Sequence, residues 1–309
     1  MDLYSIGEML IDFTPGNETG IYIRNAGGAP ANVAIAMANN GLSAGMNCCV
    51  GDDDFGHFLM DTLKQYHVRA INTELCTTAF TTLSFVTIFP DGDRSFAFAR
   101  KPGADTFLSE DKVKKEDIAD SVIVHAGSCS LSASPADKAT NKALRIGSEL
   151  GKLVSFDVNY RNVMWNNDKN ACLDKVKECL PYVNLLKISE EEIGMFGKSN
   201  VMETLADQYH IALIVETLGA HGARAYFNHQ YIEVPGRKAN CIDATAAGDA
   251  FWGGLLSSLR LQNVSSVSDL TAEKIKTAMN YGNTAGWLCV QKKGAIASLP
   301  SRKEIEQNL

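Results

Sequence analysis

The second half of the chain alternates between short apolar runs and longer amphipathic stretches. The apolar runs are residues 121–127, 152–159, 183–189 and 211–219. Residues 136–151 and 168–180 separate the first three runs and space their apolar positions as amphipathic helices do. Short β-rich runs between helices are typical of parallel strands that are covered on both faces. The pattern predicts an α/β fold with a mostly parallel central sheet.

Local signals support these helices and add two more. Pro135 stands near the start of the first helix, where proline is favoured, and Gly151 stands where a C-terminal cap is expected. Residues 247–261 and 271–290 also have helical spacing. The last quarter of the sequence is therefore predicted to be mainly helical.

Two segments interrupt the alternation, at roughly residues 10–25 and 77–105. Both have the pattern of strands joined by turns, and the Pro-Asp-Gly-Asp sequence at 90–93 is a strong hairpin signal. We expect the two segments to form one small antiparallel sheet beside the main sheet. Such a sheet is either a lid over a site or a simple edge extension.

Composition sets the class of protein. The 309 residues are 45% hydrophobic and 21% charged, which predicts one large α/β domain over residues 1–309 rather than a disordered chain. A net charge of -7 offers no basic surface to a nucleic acid. We see neither a leader pattern nor a run near the roughly 20 apolar residues of a membrane span, so we expect a cytoplasmic protein with no membrane partner. The eight cysteines form no CxxC pair and are expected to be buried, reduced thiols.

The most informative stretch is residues 240–256, NCIDATAAGDAFWGGLL. Small residues from Ala244 to Gly248 open a predicted helix, and exposed backbone N–H groups at a helix N-terminus form a pocket for a phosphoryl anion. Asp249 follows in the first turn, where a carboxylate can take the proton of an attacking hydroxyl. The alternative is that Asp249 only stabilises the helix N-terminus.

The segment DATAAGDAF closely resembles the second signature of the ribokinase-like (PfkB) carbohydrate kinases. The resemblance implies a three-layer α/β sandwich with a β lid, and ATP with Mg²⁺ as cofactors. It implies that Asp249 is the catalytic base and that the amides of Ala246, Ala247 and Gly248 form the anion hole. The family usually has glycine where this chain has Ala246. We expect Ala246 to leave the amides free, provided that its φ is negative.

Other family patterns recur in order along nearly the whole chain. GGAPANVA at 27–34 resembles the first signature, in which Gly27 and Gly28 let a sugar approach the backbone and Asn32 bonds its hydroxyls. GDDDFG at 51–56 follows at the expected distance. For its carboxylates we favour a structural role, as caps of the next helix.

The resemblance also implies a nucleotide site. TLGAHG at 217–222 resembles the family's nucleotide loop, and KISEEE at 187–192 resembles its NxxE motif with serine in place of asparagine. In this motif the glutamate acts on Mg²⁺ through water; the alternative is a solvated helix start. The expected nucleotide-site residues are Lys187, Ser189, Glu192, Thr217, Gly219, Gly222 and Asn283. Relatives bind a monovalent cation, often K⁺, at positions that correspond to Asp243, Thr245, Gly294 and Ser298.

Sugar recognition is expected near the lid. Asp12 ends a strand where family members hold sugar hydroxyls with an aspartate. FDVNYRNVMW at 156–165 and FAFARKPGAD at 96–105 resemble segments of fructokinases, which implies that Arg161, Arg100 and Phe98 contact the sugar. Surface ion pairs are the alternative for both arginines.

These resemblances predict a fructokinase-like enzyme that transfers the γ-phosphoryl group of ATP to the 6-hydroxyl of fructose. Two alternatives stay open. In the first, the enzyme is a kinase of the same family that acts on another acceptor: ribose, 2-keto-3-deoxygluconate, a nucleoside or a phosphosugar. In the second, the chain is a sugar-binding protein without catalysis. We further expect a homodimer paired through the lid, because an uncovered apolar sheet face favours association.

Overall fold

The computed structural model describes residues 1–309 except Thr19 and 89–93, and it leaves the side chains of Glu74, Ile88 and 94–96 undescribed. The hairpin turn predicted at 90–93 therefore lies outside the described residues. The strands are β1 Leu3–Ile6, β2 Leu10–Pro15, β3 Tyr22–Gly27, β4 Ala44–Asn47, β5 Cys49–Gly51, β6 Arg69–Ala70, β7 Glu74–Cys76, β8 Leu83–Ile88, β9 Arg94–Ala99, β10 Ile123–Gly127, β11 Leu153–Asp157, β12 Leu185–Ser189, β13 Leu213–Thr217, β14 Gly222–Phe227 and β15 Gln230–Pro235. The α-helices are α1 Ala29–Asn39, α2 Asp54–Gln65, α3 Lys115–Ala119, α4 Ala136–Glu149, α5 Lys169–Cys179, α6 Val201–Tyr209, α7 Ala247–Leu261, α8 Ala272–Cys289 and α9 Arg302–Glu306.

The main sheet has nine strands in the order β15-β14-β13-β12-β11-β10-β1-β4-β6. The seven strands from β13 to β6 run parallel, and β14 and β15 add an antiparallel edge. The predicted mostly parallel sheet is confirmed. All four apolar runs of the second half become neighbouring strands, because each helical crossover returns the chain to the next position in the sheet.

Side chains of the central strands alternate between two buried layers. Leu185 and Leu213 belong to the core shared with α1, α7 and α8, whereas Leu186 and Ile214 belong to the core shared with α4 and α5. A strand with both faces buried reads as a continuous apolar run, since successive side chains point to opposite faces. Helices on both faces complete the three layers.

A second sheet, which we call the lid after the first of the two roles expected for it, has four strands in the order β3-β2-β8-β9. Its two hairpins, β2 with β3 and β8 with β9, pair antiparallel as predicted. The two central strands β2 and β8 pair in parallel, with Ile11 opposite Leu83, so the sheet is not antiparallel throughout. β2 is the first strand of one insertion and β8 is the first strand of the other. These two strands run in the same direction and lie side by side in the sheet.

One carboxylate of the GDDDFG segment, that of Asp53, has the structural role that was predicted. Asp53 is the N-cap of α2, and its Oδ1 accepts hydrogen bonds from the amides of Phe55 (3.0 Å) and Gly56 (2.8 Å). Its Oδ2 accepts from the amide of Thr81 at 2.8 Å. One side chain thus starts a helix and fixes the chain entering the lid.

Two further findings concern the whole chain. In the part that the structure describes, no helix combines the length and the apolar character that a membrane crossing requires. Seven of the eight cysteines are buried and Cys241 is exposed, and none forms a disulfide.

Candidate active site

Three cavities lie side by side around residues that follow the carboxyl ends of β11, β12 and β13. We name them after the predictions above: an acceptor cavity of about 780 Å³, a phosphate cavity of about 300 Å³ and a nucleotide cavity of about 340 Å³. Asp249 lines both the acceptor and the phosphate cavity. Gly248 lines both the phosphate and the nucleotide cavity. Ligands of open parallel sheets bind at this edge.

The first turn of α7 forms the wall between these cavities. Ala246 is the N-cap residue and has φ +61° and ψ +9°, in the left-handed region. The condition of a negative φ is therefore not met: the backbone has a conformation that glycine adopts easily, and the alanine is held in it with strain. The amide of Ala247 donates to the carbonyl of Ala244 at 3.2 Å, while the amides of Gly248 and Asp249 fall in the first turn, where a helix supplies no internal acceptor.

Asp249 is buried, 6% exposed, and its Oδ2 accepts a hydrogen bond of 2.7 Å from Nδ2 of Asn32. Burial raises the pKa of Asp249 and the nearby Asp157 raises it further, whereas Asn32, Lys187 and Arg161 act in the opposite direction. A carboxylate with a raised pKa is a better proton acceptor, and here it remains held by a donor. Asn32 belongs to the first signature and Asp249 to the second. This hydrogen bond therefore connects the two signatures, although the two residues are 217 positions apart in the sequence.

Lys187 forms a buried ion pair with Asp157, with Nζ 2.8 Å from Oδ2 and 3.0 Å from Oδ1. Burial alone lowers the pKa of Lys187, but Asp157 and Glu192 outweigh it and the pKa is raised. A Cβ built on Gly248 would lie 3.3 Å from Nζ, so the ammonium group is placed directly against the opening of α7. The sequence reasoning missed Asp157, although an acidic residue at the carboxyl end of a central strand is itself a signal.

Glu192 joins two loops at the phosphate cavity. Its Oε1 accepts from the amide of Tyr160 at 2.6 Å and its Oε2 accepts from the amide of Ser189 at 2.9 Å. The side chain is buried, 7% exposed, so it is not a solvated helix start. Ser189 and Glu192 are therefore brought together, as the motif predicts.

The acceptor cavity contains most of the residues expected to bind a sugar. The predicted residues that line it are Asp12, Gly28, Asn32, Phe98, Arg161 and Asp249. Burial raises the pKa of Asp12 to about 6, which Ser84 and the charge of Arg161 partly oppose. Gly27 lies beneath Asp12: a Cβ at this position would be 2.1 Å from the Asp12 Oδ2. Glycine is required there because any side chain would displace that carboxylate.

Of the residues expected at the sugar site, Gly27 and Arg100 are not among the described residues that line this cavity, and Arg100 has other partners. Its Nε and Nη2 donate to Oδ2 of Asp105 at 2.9 and 2.6 Å, and its Nη1 donates to Ser132 at 2.7 Å. It is not among the described residues that line the acceptor cavity. A buried ion pair with Asp105, formed within the same loop, uses its donors instead.

The nucleotide cavity lies between the end of β13 and helix α8. The predicted residues that line it are Thr217, Gly219, Gly222, Asn283, Ala247 and Gly248. Gly219 and Gly222 have φ +53° and +103°, which explains why this loop carries glycine. Trp287 adds an aromatic wall that the sequence reasoning missed, with the Arg237 guanidinium 5.1 Å from its ring centroid.

The four residues expected near a monovalent cation also lie together. Asp243 accepts from the amides of Thr245 (2.8 Å) and Gly294 (3.0 Å) through its two carboxylate oxygens. The Cys289 thiol lies 3.0 Å from the Ser298 hydroxyl and 3.6 Å from the Thr245 carbonyl, which links the fourth residue to this group. No His/Cys/Asp/Glu cluster of three suited to a metal ion occurs within the described residues.

The structure is thus an α/β fold with three adjoining cavities, two of which share the buried side chain of Asp249. The chain belongs to the pfkB family of carbohydrate kinases, whose model matches residues 2–302. It is 36% identical over 311 residues to Fructokinase-1 of Oryza sativa subsp. japonica, covering 97% of this chain and 95% of that protein.

Solved structures agree with this family. A fructokinase from Xylella fastidiosa with bound ATP matches with a TM-score of 0.91 at 29% identity, covering 99% of this chain and 97% of the other. A fructokinase from Vibrio cholerae O395 in a form with fructose, ADP and calcium ion bound matches with a TM-score of 0.88 at 30% identity, covering 99% and 98%.

Proposed function

We propose that this chain phosphorylates fructose with ATP, and that Asp249 is the catalytic base. The single observation that carries the proposal is the position of Asp249 at the wall shared by the acceptor and phosphate cavities. Only a group at that boundary can face both an acceptor hydroxyl and a terminal phosphate. The kinases named above, which are similar over nearly the whole chain, support fructose as the acceptor.

In the proposed reaction the 6-hydroxyl of fructose attacks the γ-phosphorus of ATP. Asp249 accepts the hydroxyl proton, the new bond joins O6 to phosphorus, and the bond between phosphorus and the bridging oxygen breaks to release ADP. The Gly248 amide and the Lys187 ammonium supply positive charge to the phosphoryl oxygens. The lid covers the acceptor and excludes water, which suppresses hydrolysis of ATP.

The phosphate cavity also fits a phosphate-bound Mg²⁺. Mg²⁺ usually keeps several waters and takes only one or two carboxylates besides phosphates, and Glu192 is a buried carboxylate on this wall. Glu192 would hold the ion through water, as predicted. The ion would neutralise charge on the phosphates.

We further propose that K⁺ binds at the group formed by Asp243, Thr245, Gly294 and Ser298. Omission of K⁺ at constant ionic strength should then lower kcat.

The central test replaces the proposed base. Asp249→Asn keeps the size of the side chain but removes the proton acceptor, so kcat should fall by at least roughly a thousand-fold. Fructose affinity, measured by isothermal titration calorimetry without ATP, should change by less than about ten-fold. A variant that turns over at a near-normal rate would remove Asp249 from this role.

The acceptor itself is tested with a sugar panel. ADP production is compared for fructose, ribose, 2-keto-3-deoxygluconate, nucleosides and phosphosugars, and fructose should have the highest kcat/KM. A higher kcat/KM for another acceptor would replace fructose in the proposal. If every sugar leaves ATP intact while one of them raises Tm, the non-catalytic alternative is favoured.

We also propose a homodimer through the lid. The edge strand β3 and the residue before it expose Ile21 (50%), Tyr22 (49%) and Ile23 (48%), an apolar patch that a second lid would cover. Sedimentation at micromolar concentration should give the dimer mass, and Ile23→Lys should shift it to the monomer. A wild-type protein that sediments as a monomer contradicts the proposal.

The cytoplasmic location stays a prediction.

A further inference from the structure

Glu8 is a buried carboxylate in the acceptor cavity that none of the motifs includes. It lies in the turn between β1 and β2, is 2% exposed and lines this cavity together with Asp12 and Asn32. It does not line the phosphate cavity. The residue is therefore on the side of the acceptor site away from the transferred phosphoryl group.

Only one of its two oxygens is used within the described protein. Oε1 accepts a hydrogen bond of 3.2 Å from the amide of Ala29, the first residue of α1. Oε2 is buried and has no hydrogen-bond partner among the described residues. A buried acceptor without a donor is costly, so its retention calls for an explanation.

The same cavity contains a second unpartnered acceptor. Asn32 donates its Nδ2 to Asp249, but its Oδ1 has no partner within the described part of the chain. Two acceptors without donors on one cavity wall call for a ligand that carries several donors. A polyhydroxyl compound has these donors, since each hydroxyl offers one O–H.

The cation whose charge acts on Glu8 is engaged elsewhere. The charge of Arg100 acts on Glu8, but its guanidinium donates to Asp105 and Ser132, as described above. The loop that carries Arg100 packs closely at Gly103, where a Cβ would meet Oγ1 of Thr82 at 1.9 Å and the Arg100 Cγ at 2.7 Å. Among the described hydrogen bonds of Arg100, none reaches Oε2 of Glu8.

We propose that Glu8 is a sugar-binding residue whose Oε2 accepts a hydrogen bond from an acceptor hydroxyl other than the one that is phosphorylated. Oε1 meanwhile holds the start of α1, which carries Asn32, so one carboxylate fixes both the sugar and the wall beside it. The inference rests on the proposed function and deepens it: Glu8 becomes a determinant of which sugar is accepted.

The test uses Glu8→Gln in the full chain. The titration is carried out at about pH 8, above the pKa of Glu8, where the carboxylate is ionised and Oε2 only accepts. The glutamine oxygen can keep the bond from Ala29 while an amide NH₂ replaces Oε2, so fructose binding should weaken roughly ten- to hundred-fold and the KM for ATP should stay unchanged. Glu216→Gln is the matched control: Glu216 is also buried, pairs with Arg224 and is not among the residues that line the three cavities. Its fructose affinity should equal that of the wild type.

A set of deoxy sugars separates recognition from a purely structural effect. Wild type and Glu8→Gln are titrated with fructose analogues that each lack one hydroxyl. For one analogue the difference in affinity between the two proteins should disappear, and this analogue identifies the hydroxyl that Glu8 binds.

An equal loss of affinity in Glu8→Gln for every analogue, or an unchanged fructose affinity, overturns the inference. If wild type itself neither binds nor phosphorylates fructose, the proposed function fails instead. If Glu8→Gln does not fold, Glu8→Asp is judged by the same criterion.

Discussion

Nδ2 of Asn32 lies 2.7 Å from Oδ2 of Asp249 and donates a hydrogen bond to it, in the interior of the protein. The bond joins the buried part of α1 to the first turn of α7, two helices that pack against each other on the same face of the sheet. A donor at this position stabilises the ionised form of the carboxylate. Asn32 therefore sets the pKa of the proposed base as well as contacting the sugar cavity.

Removing this donor should be visible in the pH dependence of the rate. In Asn32→Leu the pKa of Asp249 rises further, because burial and Asp157 still raise it and one opposing bond is lost. In a plot of kcat/KM against pH, the acidic limb should move to higher pH by about one unit. Asn39→Leu, at the far end of the same helix, is the control. An unshifted limb in Asn32→Leu contradicts this role.

The buried pair of Lys187 and Asp157 predicts a large loss of stability when only one member is removed. Lys187→Met leaves the carboxylate of Asp157 buried and uncompensated, which should lower the free energy of unfolding by about 3–5 kcal/mol. Adding Asp157→Asn should restore more than half of the loss, because the unpaired charge is gone. Urea denaturation measures both.

The control is an exposed pair of the same type. Arg145 and Glu149 form an ion pair of 2.8 Å with side chains 46% and 52% exposed. Arg145→Met should cost less than about 1 kcal/mol, since exposed pairs contribute little. Similar losses in Lys187→Met and Arg145→Met would show that the Lys187 pair contributes no more than a surface pair.

The sequence predicted correctly those elements whose hydrophobic pattern follows directly from burial. The parallel strands read as apolar runs because both of their faces are buried, and α7 was placed at its observed bounds because a run of small residues precedes an apolar helix. It could not foresee β2 and β8 pairing in parallel, since the order of two insertions in space is not encoded in either hairpin. The sequence also did not predict that Arg100 donates to Asp105, five residues later. Whether Arg100 binds Asp105 or a sugar depends on the conformation of the folded loop.

Glu8 and Asp157 show a second limit. Both are single acidic residues outside any glycine-rich motif, and only the fold shows that one lines a cavity while the other neutralises Lys187. The conformation of Ala246 was left open by the sequence for a related reason: its left-handed backbone, with φ +61°, is visible only in the folded loop.

Ala246 predicts a stabilising substitution. Ala246→Gly removes the strain of a left-handed alanine, about 1–2 kcal/mol, and costs about 0.5–1 kcal/mol of chain entropy. The free energy of unfolding should rise by about 0.5–1 kcal/mol in urea denaturation. Ala247→Gly, at the next position but inside the helix, should lower it by a similar amount. A loss of stability in Ala246→Gly would contradict the strain.

The last prediction concerns the pH dependence of stability that Glu8 imposes. Burial raises the pKa of Glu8 from 4.5 to about 7, helped by Asp105 and opposed by its own backbone amide, by Arg100 and by the amide of Ala29. Between these values the folded chain keeps a proton that the unfolded chain has released. Stability must therefore fall as pH rises through this window, by about 1.4 kcal/mol per unit, and level off above pH 7.

Glu8→Gln removes this titration, so the difference between wild type and variant isolates it. From pH 5 to pH 7 the free energy of unfolding of wild type should fall by about 2–3 kcal/mol relative to Glu8→Gln. Asp53→Asn is the contrasting case: burial alone would raise the pKa of Asp53, but bonds from Thr81 and Gly56 hold it below 3.8. Its difference from wild type should be constant over the same range, because both folded and unfolded Asp53 are ionised there. A constant difference for Glu8→Gln as well would mean that Glu8 is already ionised at pH 5, which would contradict the raised pKa of this carboxyl group.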